Sequence, residues 1–322
     1  MDRLGWIEVK IFIVPAEDEG ERLDRWLAPR LGRSRAQVQR LIKEGRVRVN
    51  GKRAKPSHLL QPDGHVEIEL PPPGPIVPQP EPLPLKIIYE DEELIVVDKP
   101  TGLVTHPAPG HPRGTLVNGL LHHCRLAETG DPLRPGIVHR LDRETSGVLV
   151  AVKREGAYRS LVEQFKRGEV EKRYLALVHG LIEEDEGLIE LPLGRDPLRR
   201  EEIRVGAEGK PAVTEFSVLE RFRDEEKTLV EARPKTGRMH QIRVHLSYIG
   251  HPVVGDRRYG RRRDKAERMM LHAWELAIWH PRTGRRLTFT APPPEGFTPW
   301  LERGSGESNR TPRGRRGGSR GR

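Results

Sequence analysis

The 322-residue chain carries 57 Lys and Arg against 47 Asp and Glu, a formal charge of +10, with 35% apolar residues and 33 glycines besides. Together these fall at the edge of ordinary globular composition, which excludes a chain disordered throughout and fits about two domains. No apolar run approaches the ~18 residues of a membrane span, no secretory signal pattern is present, and the single Cys124 excludes an internal disulfide or a zinc site needing two thiolates. The expected location is therefore the cytoplasm, with an anionic partner.

Leu23, Trp26 and Leu27 have i, i+3, i+4 spacing and predict a short helix, with Pro29 expected to end it. Ser34 followed by Gln37 is a capping-box pattern for a second helix, whose apolar face is Val38, Leu41 and Ile42 and whose stop is Gly45. Arg46–Asn50 alternates as a strand, Asn50-Gly51 suits a type I′ hairpin turn, and His65–Leu70 alternates again. Residues 22–55 hold twelve Lys and Arg against Asp24 and Glu44 alone. A run of charge is ordinarily a solvated face. Here Arg33, Arg35, Arg40 and Lys43 gather on a capped helix opposite its apolar stripe. The segment SRAQVQRLIKEGRVRVNGK resembles the S-four RNA-binding module, over roughly residues 20–70, and the resemblance implies that these four cations face RNA phosphates.

Residues 71–84 contain eight prolines and predict an extended spacer. Residues 302–322 contain seven arginines and two glutamates without a large apolar side chain, so this tail is expected to stay disordered. The expected domains are 1–70, the 71–84 linker, 85–301 and the 302–322 tail. Because residues 22–55 contribute +10 and the tail +5, the remainder totals −5.

Within that domain Lys86–Tyr89 and Leu94–Val97 predict strands around an acidic turn, and Val148–Val152 predicts a buried one. Gly156–Arg167 has a helical pattern, and Lys172–Val178 predicts a further strand. TGRMHQIRVHL at 236–246 alternates Ile242, Val244 and Leu246 as a strand would, and LHAWELAIW at 271–279 closes the series. Many strands with few helices between them predict an α+β fold with a mixed, largely antiparallel sheet.

The loop HRLDRETSG at 139–147 sets Asp142 among Arg140 and Arg143. An aspartate kept ionised by a cation is able to attack an electrophilic carbon or orient a base. An Asp beside an Arg is more often a surface pair worth almost nothing, and chemistry alone favours that reading. The wider pattern changes it. PGIVHRLDRETSGVLVAVK at 135–153, the DKP…G…HP run at 98–107, KRYLALV at 172–178, and TGRMHQIRVHL followed by LHA at 271–273 together resemble the RluA family of pseudouridine synthases. HPAPGHPRGTLVNGLL at 106–121 and the N-terminal module are most similar to its RluD-like branch. Arg143 stands where that family usually has lysine, which keeps the charge.

The resemblance implies a pseudouridine-synthase-type bent sheet with flanking helices. It implies Asp142 as the catalytic carboxylate, Tyr174 stacked on the target uracil, and Arg238 paired with Asp142. Arg140 would enter the RNA where the base departs, and Leu271 would pack in the uracil pocket. The implied partner is structured RNA, most simply 23S rRNA or the large ribosomal subunit, acted on by a monomer. No metal, nucleotide or other cofactor is implied, and no membrane partner. A tRNA-modifying relative and a non-catalytic rRNA assembly factor are the alternatives.

Rival patterns fail on order or spacing. Val150–Lys153 and His139–Asp142 imitate kinase segments in the wrong sequence order, without a glycine-rich phosphate loop. His106, His111, His122, His123 and Cys124 are irregularly spaced for zinc and are expected in a histidine-rich loop near RNA. His240 and His245, five apart on the expected strand, would face opposite sides.

Overall fold

The computed structural model describes residues 8–70, 77–108, 110–199 and 202–307. Contacts divide the chain into two compact units, with the boundary after Ile76. In the first, β1 (Glu8–Ile13), β2 (Val47–Val49), β3 (Lys52–Arg53) and β4 (His65–Leu70) form an antiparallel sheet in the order β1-β4-β2-β3. Helices α1 (Leu23–Leu31) and α2 (Arg35–Lys43) bury Leu23, Trp26, Leu27, Val38, Leu41 and Ile42 against it.

Local chemistry sets these elements. The Ser34 backbone N–H donates to the Gln37 side chain at 2.9 Å while the Gln37 N–H donates to Ser34 Oγ at 3.4 Å, closing the capping box. Asn50 and Gly51 both take positive φ, +49° and +73°, as the type I′ turn needs. Pro29 does not end α1, which runs on to Leu31. It stands in the final turn, where a missing N–H removes a single bond, and the helix stops at Gly32, left-handed at φ +59°.

The second unit is built on β5 (Lys86–Glu90), β6 (Leu94–Lys99), β7 (Ser146–Val152), β8 (Glu171–His179), β9 (Glu186–Glu190), β12 (Val213–Phe222), β13 (Lys227–Pro234), β14 (Leu271–Trp279) and β15 (Arg286–Thr290). Their sheet runs β5-β6-β7-β14-β8-β13-β12-β9, with β15 on the far half of β14. Every pairing is antiparallel except β7 with β14. A short hairpin, β10 (Leu193–Arg195) with β11 (Ile203–Val205), stands apart. Helices α3 (Leu116–His123), α4 (Glu155–Arg167), α5 (Gln241–Tyr248) and α6 (Thr298–Glu307) complete the unit.

The strand β7 is buried along its whole length and feeds two cores. Val148, Val150 and Val152 pack with Leu94, Val96 and Leu161, while Leu149 and Ala151 pack with Leu116, Leu120 and Leu141. Where β7 meets β14, Gly147 lies opposite Ala273. A Cβ on Gly147 would stand 2.0 Å from the Ala273 carbonyl oxygen, and its φ is +117°, so only glycine permits this approach.

Four expectations change here. The 236–246 segment is not a strand; its second half is α5. Ile242, Val244 and Leu246 alternate with Gln241, Arg243 and His245, yet all six are buried, so periodicity carried no information. Each polar member has partners: His245 Nδ1 lies 2.9 Å from Thr214 Oγ1, and the Gln241 amide donates to the Val213 carbonyl at 2.8 Å. The expected spacer also reads differently. Residues 71–76 lie outside the described residues, but 77–84 run along α3, where the Glu81 N–H donates to the Asn118 carbonyl at 3.0 Å and the Asn118 amide to the Gln79 carbonyl at 2.7 Å. His122 and His123 close α3 rather than forming a loop. Of the expected tail, 302–307 continue α6, and 308–322 lie outside the described residues.

Candidate active site

The turn preceding β7 carries Asp142 into the wall of a cavity of about 400 Å³. Two devices fix that turn. Leu141 is buried in the core beneath it. The 99–105 segment bonds it repeatedly: Thr105 Oγ1 donates to the Leu141 carbonyl at 2.8 Å, the Gly102 N–H to the Arg143 carbonyl at 2.7 Å, and Thr101 Oγ1 to the Glu144 carbonyl at 2.8 Å. Lys99, wholly buried, donates from Nζ to the carbonyls of Pro100 (3.0 Å), Leu103 (2.9 Å) and Arg143 (3.3 Å). Burial draws its pKa down to about 7, against the upward pull of Asp142 and Glu144. Three carbonyls around one nitrogen require the ammonium form, because a neutral amine has only two N–H groups.

Asp142 Oδ2 accepts a hydrogen bond from Arg243 Nη1 at 3.0 Å. The other edge of the same guanidinium binds Asp256 bidentately, Nε at 2.7 Å and Nη2 at 2.9 Å, and its plane lies over the Tyr259 ring at 5.1 Å. Burial works against the Arg243 charge, but the bonds from Asp256 and the charge of Asp142 outweigh it and raise its pKa. The arginine beside Asp142 is therefore Arg243, not Arg238. Arg238 lines the same cavity but is exposed, and its Nε donates to the Pro211 carbonyl at 3.0 Å. The reason is the helix: the first turn of α5 turns Arg243 inward, while Arg238 belongs to the loop before it.

Tyr174, on β8 beside Ala273 of β14, faces the same cavity. Burial, and secondarily the negative charge of Asp142, push its phenol well above its ordinary pKa, so the ring is neutral. Leu271 and Arg140 also line the cavity, the first buried and the second exposed. Lys172 donates to the Thr236 carbonyl at 3.1 Å, and burial with repulsion from Lys235 lowers it to about 8.

Two histidines have separate duties. His139 Nε2 accepts the Val150 N–H at 3.0 Å, and the ring stacks on Phe165 at 5.1 Å. Burial holds its pKa down at about 3, so it is a neutral brace for β7. His240, at φ +53°, stands at the start of α5 and not on a strand facing away from His245. The Ile203 N–H donates to the Tyr259 hydroxyl at 2.8 Å, and that hydroxyl lies 2.8 Å from His240 Nδ1. The phenol proton goes to Nδ1, which leaves the neutral ring protonated at Nε2, 3.9 Å from Asp142 Oδ2. Burial lowers the His240 pKa despite Asp142. The signal for Arg243 was its place with Gln241 and His245 at alternate positions of a segment whose other members are apolar.

In the first unit, Arg35 donates to Asp24 at 2.9 Å and Arg40 to Glu44 at 2.9 Å. Arg33 and Lys43 are exposed without an ion pair among the described residues. Asp24 is fully buried; hydrogen bonds from Arg22, Gln39 and Arg35 overcome the burial cost and hold it ionised, below the usual carboxylate range. Among the described residues no cluster of three or more His, Cys, Asp or Glu is arranged for a metal ion, and no helix is long and apolar enough to cross a membrane.

Residues 93–248 match the RNA pseudouridylate synthase family, and residues 21–66 match the S4 domain. A Bacillus subtilis protein described as an uncharacterized RNA pseudouridine synthase is 47% identical, over 89% of this chain and 95% of its own. The chain belongs to the RNA pseudouridine synthases. The synthase is also 42% identical to the ribosomal large subunit pseudouridine synthase D of Neisseria meningitidis, over 88% of this chain and 78% of that one. Among solved structures, human RNA pseudouridylate synthase domain containing 1 aligns with TM-score 0.54 and 31% identity, over 72% of this chain and 89% of its own. The synthase is thus an isomerase with an RNA-binding domain ahead of its catalytic unit.

Proposed function

We propose that the enzyme converts uridine to pseudouridine in large-subunit ribosomal RNA in the cytoplasm, with Asp142 as its catalytic carboxylate. The observation that carries this is the Asp142 carboxylate in the cavity wall, bonded to an arginine whose other edge is held by Asp256. A guanidinium on one oxygen holds the carboxylate in place and leaves the other for the nucleotide. The target base has to leave its stack, since the glycosidic bond is inaccessible inside one. Tyr174 then offers a face to the extruded uracil, replacing stacking of roughly 1–3 kcal/mol per base. Its neutral phenol suits stacking better than proton removal. Arg140, exposed at the cavity, fills the gap left in the RNA, and Leu271 packs against the uracil.

The reaction breaks the bond from uracil N1 to the ribose C1′, turns the base, and joins C5 to C1′. The proton lost from C5 is balanced by one gained at N1, so no redox partner is consumed. The large-subunit assignment is supported by the Neisseria relative and by the RNA-binding domain. Mapping pseudouridines in rRNA and tRNA from cells with and without the gene tests it. Loss of a 23S rRNA site supports the reading, and loss confined to tRNA replaces it with a tRNA enzyme.

A further inference from the structure

Nine residues after the end of α5, the chain runs Arg257-Arg258-Tyr259-Gly260-Arg261-Arg262-Arg263, five arginines without an acid between them. The segment lies beyond the 93–248 family match. All five arginines are exposed. The side chains of Arg257, Arg261, Arg262 and Arg263 make no ion pair or hydrogen bond among the described residues, unlike the i,i+4 pairs Arg159–Glu155 and Arg167–Glu163 on α4. Uncompensated like charge at this density repels itself and raises the local potential.

The base of this loop is rigid. Asp256, buried, accepts the backbone N–H groups of Arg258 at 2.9 Å and Tyr259 at 3.0 Å. The Gly260 N–H donates to the Asp256 carbonyl at 2.9 Å, and a Cβ on Gly260 would lie 2.1 Å from that oxygen. At the other end Asp264 accepts the N–H groups of Gly255 at 2.6 Å and Ala266 at 3.0 Å, and lies 2.7 Å from His179 Nε2. Arginines on a pinned base lose less freedom on binding than arginines on a slack loop.

The same base reaches the active site. Asp256 grips Arg243, and Tyr259 holds His240, so the loop starts one residue layer behind the cavity wall. A nucleotide drawn into that cavity brings its flanking phosphates to the rim. Guanidinium forks match phosphate oxygens bidentately, and phosphate contacts set register without reading sequence. We propose that the 257–263 loop is a phosphate clamp for the RNA strand carrying the target nucleotide. The clamp rests on the RNA-isomerase reading above. Because it is braced through Asp256 and Tyr259, it seats the strand in fixed relation to Asp142.

The test is the full-length triple variant Arg261→Gln/Arg262→Gln/Arg263→Gln binding an unmodified 23S rRNA transcript over a series of salt concentrations. Each lost phosphate contact removes about 0.7–0.9 from the slope of log affinity against log salt, so the slope should fall by about 2 to 3. Affinity should fall at least about tenfold at moderate salt, with the melting temperature unchanged. The Arg→Lys triple, which keeps the charge, should retain the slope. An unchanged slope in the glutamine variant overturns the clamp, as does tighter binding of the wild type to anionic phosphatidylglycerol vesicles than to the transcript. Binding is read without turnover, so the two claims separate. A smaller slope on a transcript that the wild type does not modify leaves the clamp standing and removes the rRNA target.

Discussion

In the N-terminal unit the Arg40 side chain is 82% exposed beside an exposed Glu44, whereas in the catalytic unit the Arg243 side chain is 5% exposed between Asp142 at 15% and Asp256 at 0%. Solvent and salt screen the first pair, which adds little to stability and stays available to phosphate. The second is a dry triad in which two carboxylates share one cation, and removing that cation strands both. One unit spends arginine on long-range attraction and the other on fixing a single oxygen. Net charge does not separate the two uses, since residues 1–70 and residues 85–301 each total +3.

The contrast predicts where damage is greatest. Arg243→Gln should destabilise the catalytic unit by about 3–5 kcal/mol, as broken buried pairs do, and leave almost no turnover. Arg238→Gln, at an exposed site bonded to one carbonyl, should change stability by less than about 1 kcal/mol and turnover by less than about tenfold. Melting curves and single-turnover assays of the two variants check this, and a reversed order would return the ion pair to Arg238.

His240 separates backbone from side-chain need. Glutamine places an amide N–H near the Nε2 position, while asparagine tolerates the left-handed backbone but reaches only as far as Nδ1. His240→Gln should therefore keep kcat within about tenfold, and His240→Asn should lose about ten- to a hundredfold, the value of a hydrogen bond to a charged group. If asparagine is the better replacement, the residue serves its turn and not Asp142.

A pH titration sharpens the comparison further. His139 is neutral in the fold with a pKa of about 3, against an ordinary 6.5. The unfolded chain takes up that proton first, so the stability it contributes is present above about pH 6.5 and is lost as pH falls towards 3. His139→Gln should flatten this acid slope, measured by chemical denaturation at stepped pH. The smallest effect belongs to the surface cations: Arg33→Gln/Lys43→Gln should lower the salt slope of RNA binding by about 1 to 2 without altering turnover at saturating RNA.

The N-terminal unit was readable because its signals are local. Ser34 and Gln37 bond to each other's backbone, and Asn50-Gly51 adopts its turn whatever surrounds it. Pro29 misled because a helix tolerates the loss of one bond in its last turn. The catalytic unit was readable in its strands and in Asp142, Tyr174 and Leu271, which the structure brings to one cavity. It was misread at 241–248, where Gln241, Arg243 and His245 looked like the wet face of a strand. Their partners Thr214, Val213, Asp256 and Leu191 are distant in sequence or arrive from other strands and loops, and no local pattern announces them.

The central claim is that Asp142 performs the isomerisation while other surfaces hold the RNA. Asp142→Asn keeps the shape and one acceptor oxygen for Arg243 but removes the charge. Purified wild type and Asp142→Asn, incubated with the 23S rRNA transcript and read for pseudouridine and for RNA affinity, give the direct answer. The account predicts affinity within about threefold and turnover reduced by at least about a thousandfold, as for loss of a nucleophilic group. Pseudouridine formed at the wild-type rate by the asparagine variant would contradict it.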